Sequence, residues 1–265
     1  MADKELVHVR HRGPVAEVTL DSPHNRNALS RDLVEQLHAA LALVIADDRT
    51  RVVVLTGTGP VFCSGADLKE QRAGVAPPTV GLPDILTLIY ESPAPVVARV
   101  NGAARAGGLG LIAACDLTVG LAGATFGFRE VRIGVAPAII AVPCLRRMDR
   151  RAARELFLTG ENFDVLRARD VGLLDRAVTD EELDLTVDGL TGQLGRGAPK
   201  ALAITKRLLQ DLPGPDLQED FRRMAAVSAE RFASDEAREG IAALLGKRSP
   251  AWVAPADALN GRGLP

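Results

Sequence analysis

The chain has 265 residues, 47% of them hydrophobic and 25% charged, with a formal net charge of −2. That composition is ordinary for a soluble globular protein long enough to bury one sizeable core, and it carries no basic field to attract nucleic acid or a membrane surface. Cys63, Cys115 and Cys144 are an odd count in apolar contexts without C-x-x-C spacing, which argues against a disulfide framework and against a zinc site.

The apolar segments 6–9 and 15–20 flank Gly13-Pro14, a hairpin signal. Residues 21–27 are turn-rich. Ser30 is placed to cap a helix from about 31 to 46, where Leu33, Leu37, Leu41 and Val44 recur at helical spacing. Residues 52–55 are apolar throughout, as in a parallel strand buried on both faces. Residues 71–78 read as a mobile polar loop, followed by a helix over 83–91 and a strand over 95–100. A helix over 109–115 and short strands over 116–119 and 125–127 come next. Strand–helix alternation from 51 to 178 defines an α/β domain, whereas from about 181 onward the pattern is helical, with apolar stripes over 183–194, 200–209, 217–232 and 235–245. This divides the chain into a core domain over 1–195 and a C-terminal helical region over 196–265 suited to oligomer packing. No internal repeat is evident, and the Pro-, Ala- and Gly-rich tail after Pro250 reads as loose. The N-terminus has no apolar targeting segment and no apolar run approaches the roughly 18 residues of a membrane span, so the cytoplasm is the default address.

Two glycine-rich stretches stand out: Gly57-Thr58-Gly59-Pro60-Val61-Phe62-Cys63-Ser64-Gly65-Ala66-Asp67 and Asn101-Gly102-Ala103-Ala104-Arg105-Ala106-Gly107-Gly108-Leu109-Gly110. Each follows a β-branched apolar run and opens into a segment that can be helical. Both therefore read as strand-to-helix turns at the C-terminal edge of a sheet. N–H groups at helix N-termini are unpaired and favour negative charge, and glycine admits close approach of a ligand to the backbone. Two such turns can aim two donors at one oxyanion. Neither stretch is a phosphate loop, because no Gly-Lys-Ser/Thr ending follows.

The pair, together with Phe126-Gly127-Phe128-Arg129-Glu130, Phe163-Asp164 and Val171-Gly172-Leu173-Leu174-Asp175, resembles the crotonase (enoyl-CoA hydratase/isomerase) superfamily over nearly the whole chain. The resemblance implies an α/β crotonase fold, a ββα-superhelix core with C-terminal helices that pack in a homotrimer or a dimer of trimers. It implies an acyl-CoA thioester as substrate, with coenzyme A part of the substrate and neither a separate cofactor nor a metal. The backbone N–H groups of Ala66 and Gly107 then form the oxyanion hole. Substrate contacts fall to Arg26, Ala28, Ser64, Ala66, Asp67, Leu68 and Gly110, with Lys247 meeting a CoA phosphate across a subunit boundary.

The acid and base define the reaction. Typical hydratases of the superfamily hold one water between two glutamates. The second maps to Glu130; the first maps to Gly110, three residues after Gly107, where this chain has no carboxylate. Glu130 read alone is a helix-dipole glutamate; within the family frame it is the acid–base. The space at Gly110 is then open to a second water or to a bulky acyl group. Asp67 suits a helix cap better than a catalytic role, Asp116 a strand-end acceptor, Tyr90 packing and Cys63 a small apolar core residue. His8, His11, His24 and His38 all precede the first glycine stretch, and only His24 falls near the expected CoA channel. The leading function is an enoyl-CoA hydratase-like hydro-lyase. The alternatives are another crotonase reaction, namely isomerase, decarboxylase or thioester hydrolase, or a catalytically weak acyl-CoA-binding paralogue.

Overall fold

The structure, a computed structural model, describes residues 5–76, 78–212 and 217–253. Of the tail after Pro250, residues 254–265 lie outside the described residues. Strands β1 (Val7–Arg12) and β2 (Val15–Leu20) pair antiparallel across Gly13-Pro14, with Val7 opposite Leu20. Helix α1 (Arg31–Ala46) starts where expected: Ser30 Oγ accepts the Leu33 N–H at 3.3 Å, and Leu33, Val34, Leu37, Leu41 and Val44 are buried. Then follow β3 (Val52–Gly57), β4 (Val61–Cys63), α2 (Leu68–Arg72), α3 (Leu82–Glu91), β5 (Val96–Val100), β6 (Ala103–Arg105), α4 (Gly107–Ala114), β7 (Leu117–Leu121) and β8 (Thr125–Gly127). A 3₁₀ turn at Glu130–Ile133 leads to α5 (Ala138–Arg147), α6 (Arg150–Thr159), β9 (Asn162–Asp164), α7 (Val165–Asp170) and β10 (Arg176–Val178). Helices α8 (Asp180–Leu194), α9 (Pro199–Asp211), α10 (Leu217–Phe232) and α11 (Asp235–Leu245) complete the described chain.

Two sheets organise the core. The larger has the order β1-β2-β3-β5-β7-β10, parallel beyond the hairpin; the smaller has the order β4-β6-β8-β9. One face of the large sheet meets the main helical core. Its other face, through Val52, Val54, Val97 and Val119, packs on Leu183, Val187 and Leu190 of α8. Burial on both faces is why β3 is apolar at nearly every position.

Each glycine stretch departs from the strand-to-helix reading in one respect: it carries its own short strand. The chain leaves β3, β5 or β7, turns, and adds β4, β6 or β8 to the small sheet before a helix begins. Three ββα passes thus recur without a sequence repeat. The glycines serve the stacking of these passes. A Cβ at Gly102, between β5 and β6, would lie 2.1 Å from the Pro60 carbonyl oxygen between β3 and β4. The 71–78 segment also differs, since α2 extends to Arg72.

Helix α9 is fastened to the core by Lys206, which is 7% exposed; its Nζ donates to Asp116 Oδ2 at 2.8 Å and to the Ile89 carbonyl at 2.9 Å. Asp116 Oδ2 also accepts the Val96 N–H at 2.7 Å, the strand-end role expected of it. Among the described residues no helix is long and apolar enough to cross a membrane.

Candidate active site

The small sheet assembles the site. Strands β4, β6 and β8 lie side by side and parallel, with Cys63 opposite Ala104 and Arg105 opposite Gly127. Ala66 follows β4, Gly107 follows β6 and Glu130 follows β8, each within three residues of its strand end. Register therefore brings three residues far apart in sequence to one carboxyl-terminal edge, the usual place for ligands in open parallel sheets.

The two glycine turns abut there. A Cβ built on Gly65 would lie 2.8 Å from Ala106 Cβ and 3.4 Å from the Gly107 nitrogen. Gly107 is the first residue of α4, and Ala106 precedes it with φ 47° and ψ −118°. The Ala106 carbonyl accepts the N–H groups of Leu109 at 2.9 Å and Gly110 at 3.4 Å. Because the peptide is planar and trans, the Gly107 N–H points the opposite way, out of the helix end. Among the described residues neither the Ala66 nor the Gly107 N–H donates to a turn or loop carbonyl. A Cβ at Gly107 would meet Leu29 Cδ1 at 2.6 Å and Leu82 Cδ2 at 3.2 Å, which makes those two side chains the apolar wall of the turn.

The loop carrying Arg26 and Ala28 is stitched to the first turn. The Ser64 N–H donates to the Arg26 carbonyl at 3.1 Å, the Leu29 N–H to the Gly65 carbonyl at 2.7 Å, and Leu29 forms a parallel bridge with Ala66. Asn27, fully buried, fixes the loop through its amide, which accepts from the Ser22 N–H and donates to the Thr58 and Val61 carbonyls. Asp67 caps α2: Oδ1 accepts the Lys69 and Glu70 N–H groups, and Oδ2 accepts from Asn25. Leu68 opens α2 and is 55% exposed. Arg26, Ala28, Ser64, Ala66, Asp67, Leu68 and Gly107 thus belong to one neighbourhood. Lys247 does not. It follows α11, in a segment tied through Trp252 to Arg51 before β3, whereas Ala66 lies beyond the other end of that strand.

Glu130 is 9% exposed, and its Oε2 is buried without a hydrogen-bond partner among the described residues. Burial pushes its carboxyl above the ordinary 4.5, opposed in part by its own backbone N–H. Phe126 and Phe128, fully buried on either side of Gly127, anchor its approach; the Phe128 ring lies 4.1 Å from that of Phe157 in α6. Cys144 of α5 faces it closely enough that the Glu130 charge adds to burial in raising the thiol. Cys144 Sγ in turn contacts the Leu109 carbonyl of α4 at 3.9 Å, so α4, α5 and Glu130 meet. Cys63 is fully buried, its thiol pushed up to about 12 by burial, which leaves it an inert core residue.

Gly110 requires a correction. The space beside it is filled, not open: a Cβ there would lie 2.6 Å from Ile140 Cγ2 and 3.6 Å from Leu86 Cδ1. The sequence carries no local sign of this, because α4 and α5 meet only through the fold. Ala106, Leu29, Leu82 and Ile140 were likewise invisible to motif reading, each being set by a neighbour distant in the chain.

A fold of ββα passes whose small-sheet edge carries two glycine turns and a buried glutamate defines the crotonase class. The sequence model of the enoyl-CoA hydratase/isomerase family matches residues 10–255, and the chain belongs to that family. A Thermus thermophilus protein is 37% identical over 246 residues, 90% of this chain and 97% of that one. The carnitinyl-CoA dehydratase of Proteus mirabilis is 29% identical over 259 residues, 94% of this chain and 98% of its own. The solved enoyl-CoA hydratase of Mycobacterium smegmatis superposes with a TM-score of 0.86 at 31% identity, covering 95% of this chain and all of that one.

Proposed function

We propose that this chain processes an acyl-CoA thioester through an enolate, with Ala66 and Gly107 N–H groups as the oxyanion hole and Glu130 as the single acid–base. The observation that carries the proposal is the edge of the small sheet, where two N–H groups that donate to no turn or loop carbonyl among the described residues and one buried carboxylate oxygen without a partner follow three adjacent strands. Glu130 removes a proton from the carbon beside the thioester carbonyl, and the electron pair moves onto the carbonyl oxygen. Fixed donors stabilise that oxygen more as its charge grows, so they lower the barrier rather than merely bind substrate. A desolvated carboxylate with a raised pKa is suited to take the proton and give it back.

Return of the proton to the γ-carbon migrates a double bond; delivery of the same proton from Glu130 to the β-hydroxyl expels it as water and forms one, and the reverse adds water. The filled space at Gly110 removes the position of a second water-holding carboxylate and favours double-bond migration. Hydro-lyase chemistry by Glu130 alone is the second reading, supported by the names of relatives such as the carnitinyl-CoA dehydratase. Backbone groups around Arg26, Ala28, Ser64, Asp67 and Leu68 hold the CoA moiety, and Lys247 reaches it from a neighbouring subunit of a homotrimer.

The test is incubation with short 2-enoyl-, 3-enoyl- and 3-hydroxyacyl-CoA in deuterated water, followed by mass spectrometry. The expected result is α-carbon deuteration with double-bond migration, abolished in Glu130→Gln. Failure to exchange an α-proton in any acyl-CoA overturns the proposal; hydration without migration selects the second reading.

A further inference from the structure

Ala106 has a backbone that suits glycine. Its φ of 47° with ψ of −118° matches the first central residue of a type II′ turn, a position dominated by glycine. Arg26, also at positive φ, sits in the ordinary left-handed well with ψ 40°. A strained residue persists only where its surroundings over-determine it. Here they do. The Ala106 N–H donates to the Gly127 carbonyl of β8 at 3.4 Å, and its carbonyl accepts two N–H groups from the first turn of α4. Glycine would satisfy the same bonds without strain; the one thing it lacks is the methyl group. That methyl sits against Gly65, itself at φ 85°, where an added Cβ would come within 2.8 Å of it. Gly65 immediately precedes Ala66, and Ala106 immediately precedes Gly107.

We propose that Ala106 is a positioning residue: its methyl, seated on Gly65, sets the spacing and direction of the two N–H donors at Ala66 and Gly107. The inference rests on the oxyanion reading above and adds a cause for its geometry. The peptide joining Ala106 to Gly107 carries one donor, and the peptide joining Gly65 to Ala66 carries the other. A contact between the residues on the near side of both peptides holds the donors relative to each other. Without it each turn is held only by its own strand and helix.

The test compares wild type, Ala106→Gly, Ala106→Ser and Gly65→Ala, with acetoacetyl-CoA as probe. Bound in an oxyanion hole, this β-ketoacyl thioester ionises to an enolate with its own near-ultraviolet absorbance. Because misplacement of about 1 Å can cost about a hundredfold, Ala106→Gly is expected to lower kcat by about tenfold to a hundredfold with KM changed less than about twofold. Its enolate absorbance should weaken while its Tm stays equal to wild type or rises. Ala106→Ser, which keeps the Cβ, should retain the wild-type spectrum and kcat. Gly65→Ala forces the turns apart from the other side and should lose kcat as Ala106→Gly does. Wild-type kcat and enolate spectrum in folded Ala106→Gly or folded Gly65→Ala overturns the inference while leaving the oxyanion hole standing. No enolate signal and no turnover in the wild type overturns both.

Discussion

Ile140 occupies the space that a side chain at Gly110 would need: a Cβ on Gly110 would stand 2.6 Å from Ile140 Cγ2 and 3.2 Å from Ile140 Cβ. Both residues are buried, Gly110 in α4 and Ile140 in α5. The glycine is thus a packing partner of a particular isoleucine, and the missing glutamate cannot be restored by one substitution.

Gly110→Ala should lower stability by about 1–3 kcal/mol, the usual cost of an extra methyl in a filled core. Ile140→Ala alone should cost about 2–5 kcal/mol as a cavity mutation. The double variant should be more stable than the sum of the two losses predicts, because the pair is in contact. Urea denaturation of all three measures the coupling; strict additivity would show that the two side chains do not share this space. Gly110→Glu is expected to lower activity on every acyl-CoA the wild type accepts.

Glu130→Gln should lower turnover by about 10²–10⁴-fold, the usual contribution of a general acid–base. Its effect on stability should have the opposite sign. Burial raises the folded-state pKa, so the native chain binds this proton more tightly than the unfolded chain. The resulting stability is fully present below the unfolded value of 4.5 and is lost as pH rises through the folded value. Above it the buried charge is a standing penalty that the amide lacks. Thermal melts should therefore show Glu130→Gln melting above wild type at pH 7, with the advantage shrinking as pH falls below the folded pKa. Turnover by the wild type should rise with pH through an ionisation above 4.5.

Gly107→Pro removes the N–H assigned to the oxyanion and should cost about 10²–10³ in kcat. Proline is tolerated at the first position of a helix, but it restricts the residue before it, so Ala106 must move as well. Gly107→Ala is the control that keeps the donor: its Cβ crowds the flexible tips of Leu29 and Leu82 and reaches Gly65 Cα at an ordinary contact distance of 3.8 Å. Steady-state kinetics on both variants separates loss of the donor from crowding of the wall. Equal losses in the two would remove Gly107 from the assignment.

Lys206→Met should destabilise the fold by about 3–5 kcal/mol, the cost of leaving a buried charge unpaired. Burial already pushes the Asp116 carboxyl up, and Lys206 is the first of the groups that pull it back. Lys206→Met with Asp116→Asn should recover part of the loss, read from chemical denaturation. An Lys206→Met variant as stable as wild type would mean that α9 is held without this pair.

The sequence by itself determined the opening hairpin, the longer helices and strands, the family and the residues named at the site. Periodicity placed α1 because Leu33, Leu37, Leu41 and Val44 repeat at the period of the helix they form, and Ser30 marks its start. Glycine spacing singled out the stretches that hold Ala66 and Gly107, since glycine permits tight turns and close approach of a ligand to the backbone. What the tertiary structure alone decided was adjacency. Three-residue strands such as β4 and β6 leave too short a pattern to read, yet their pairing puts Ala66, Gly107 and Glu130 on one edge. The strain at Ala106 and the filling of Gly110 by Ile140 are contacts between passes of the chain, and such contacts leave no mark on the local sequence of either partner. The physical reason is that local pattern encodes which face of an element is buried, whereas which side chain meets it there is fixed only when the ββα passes stack.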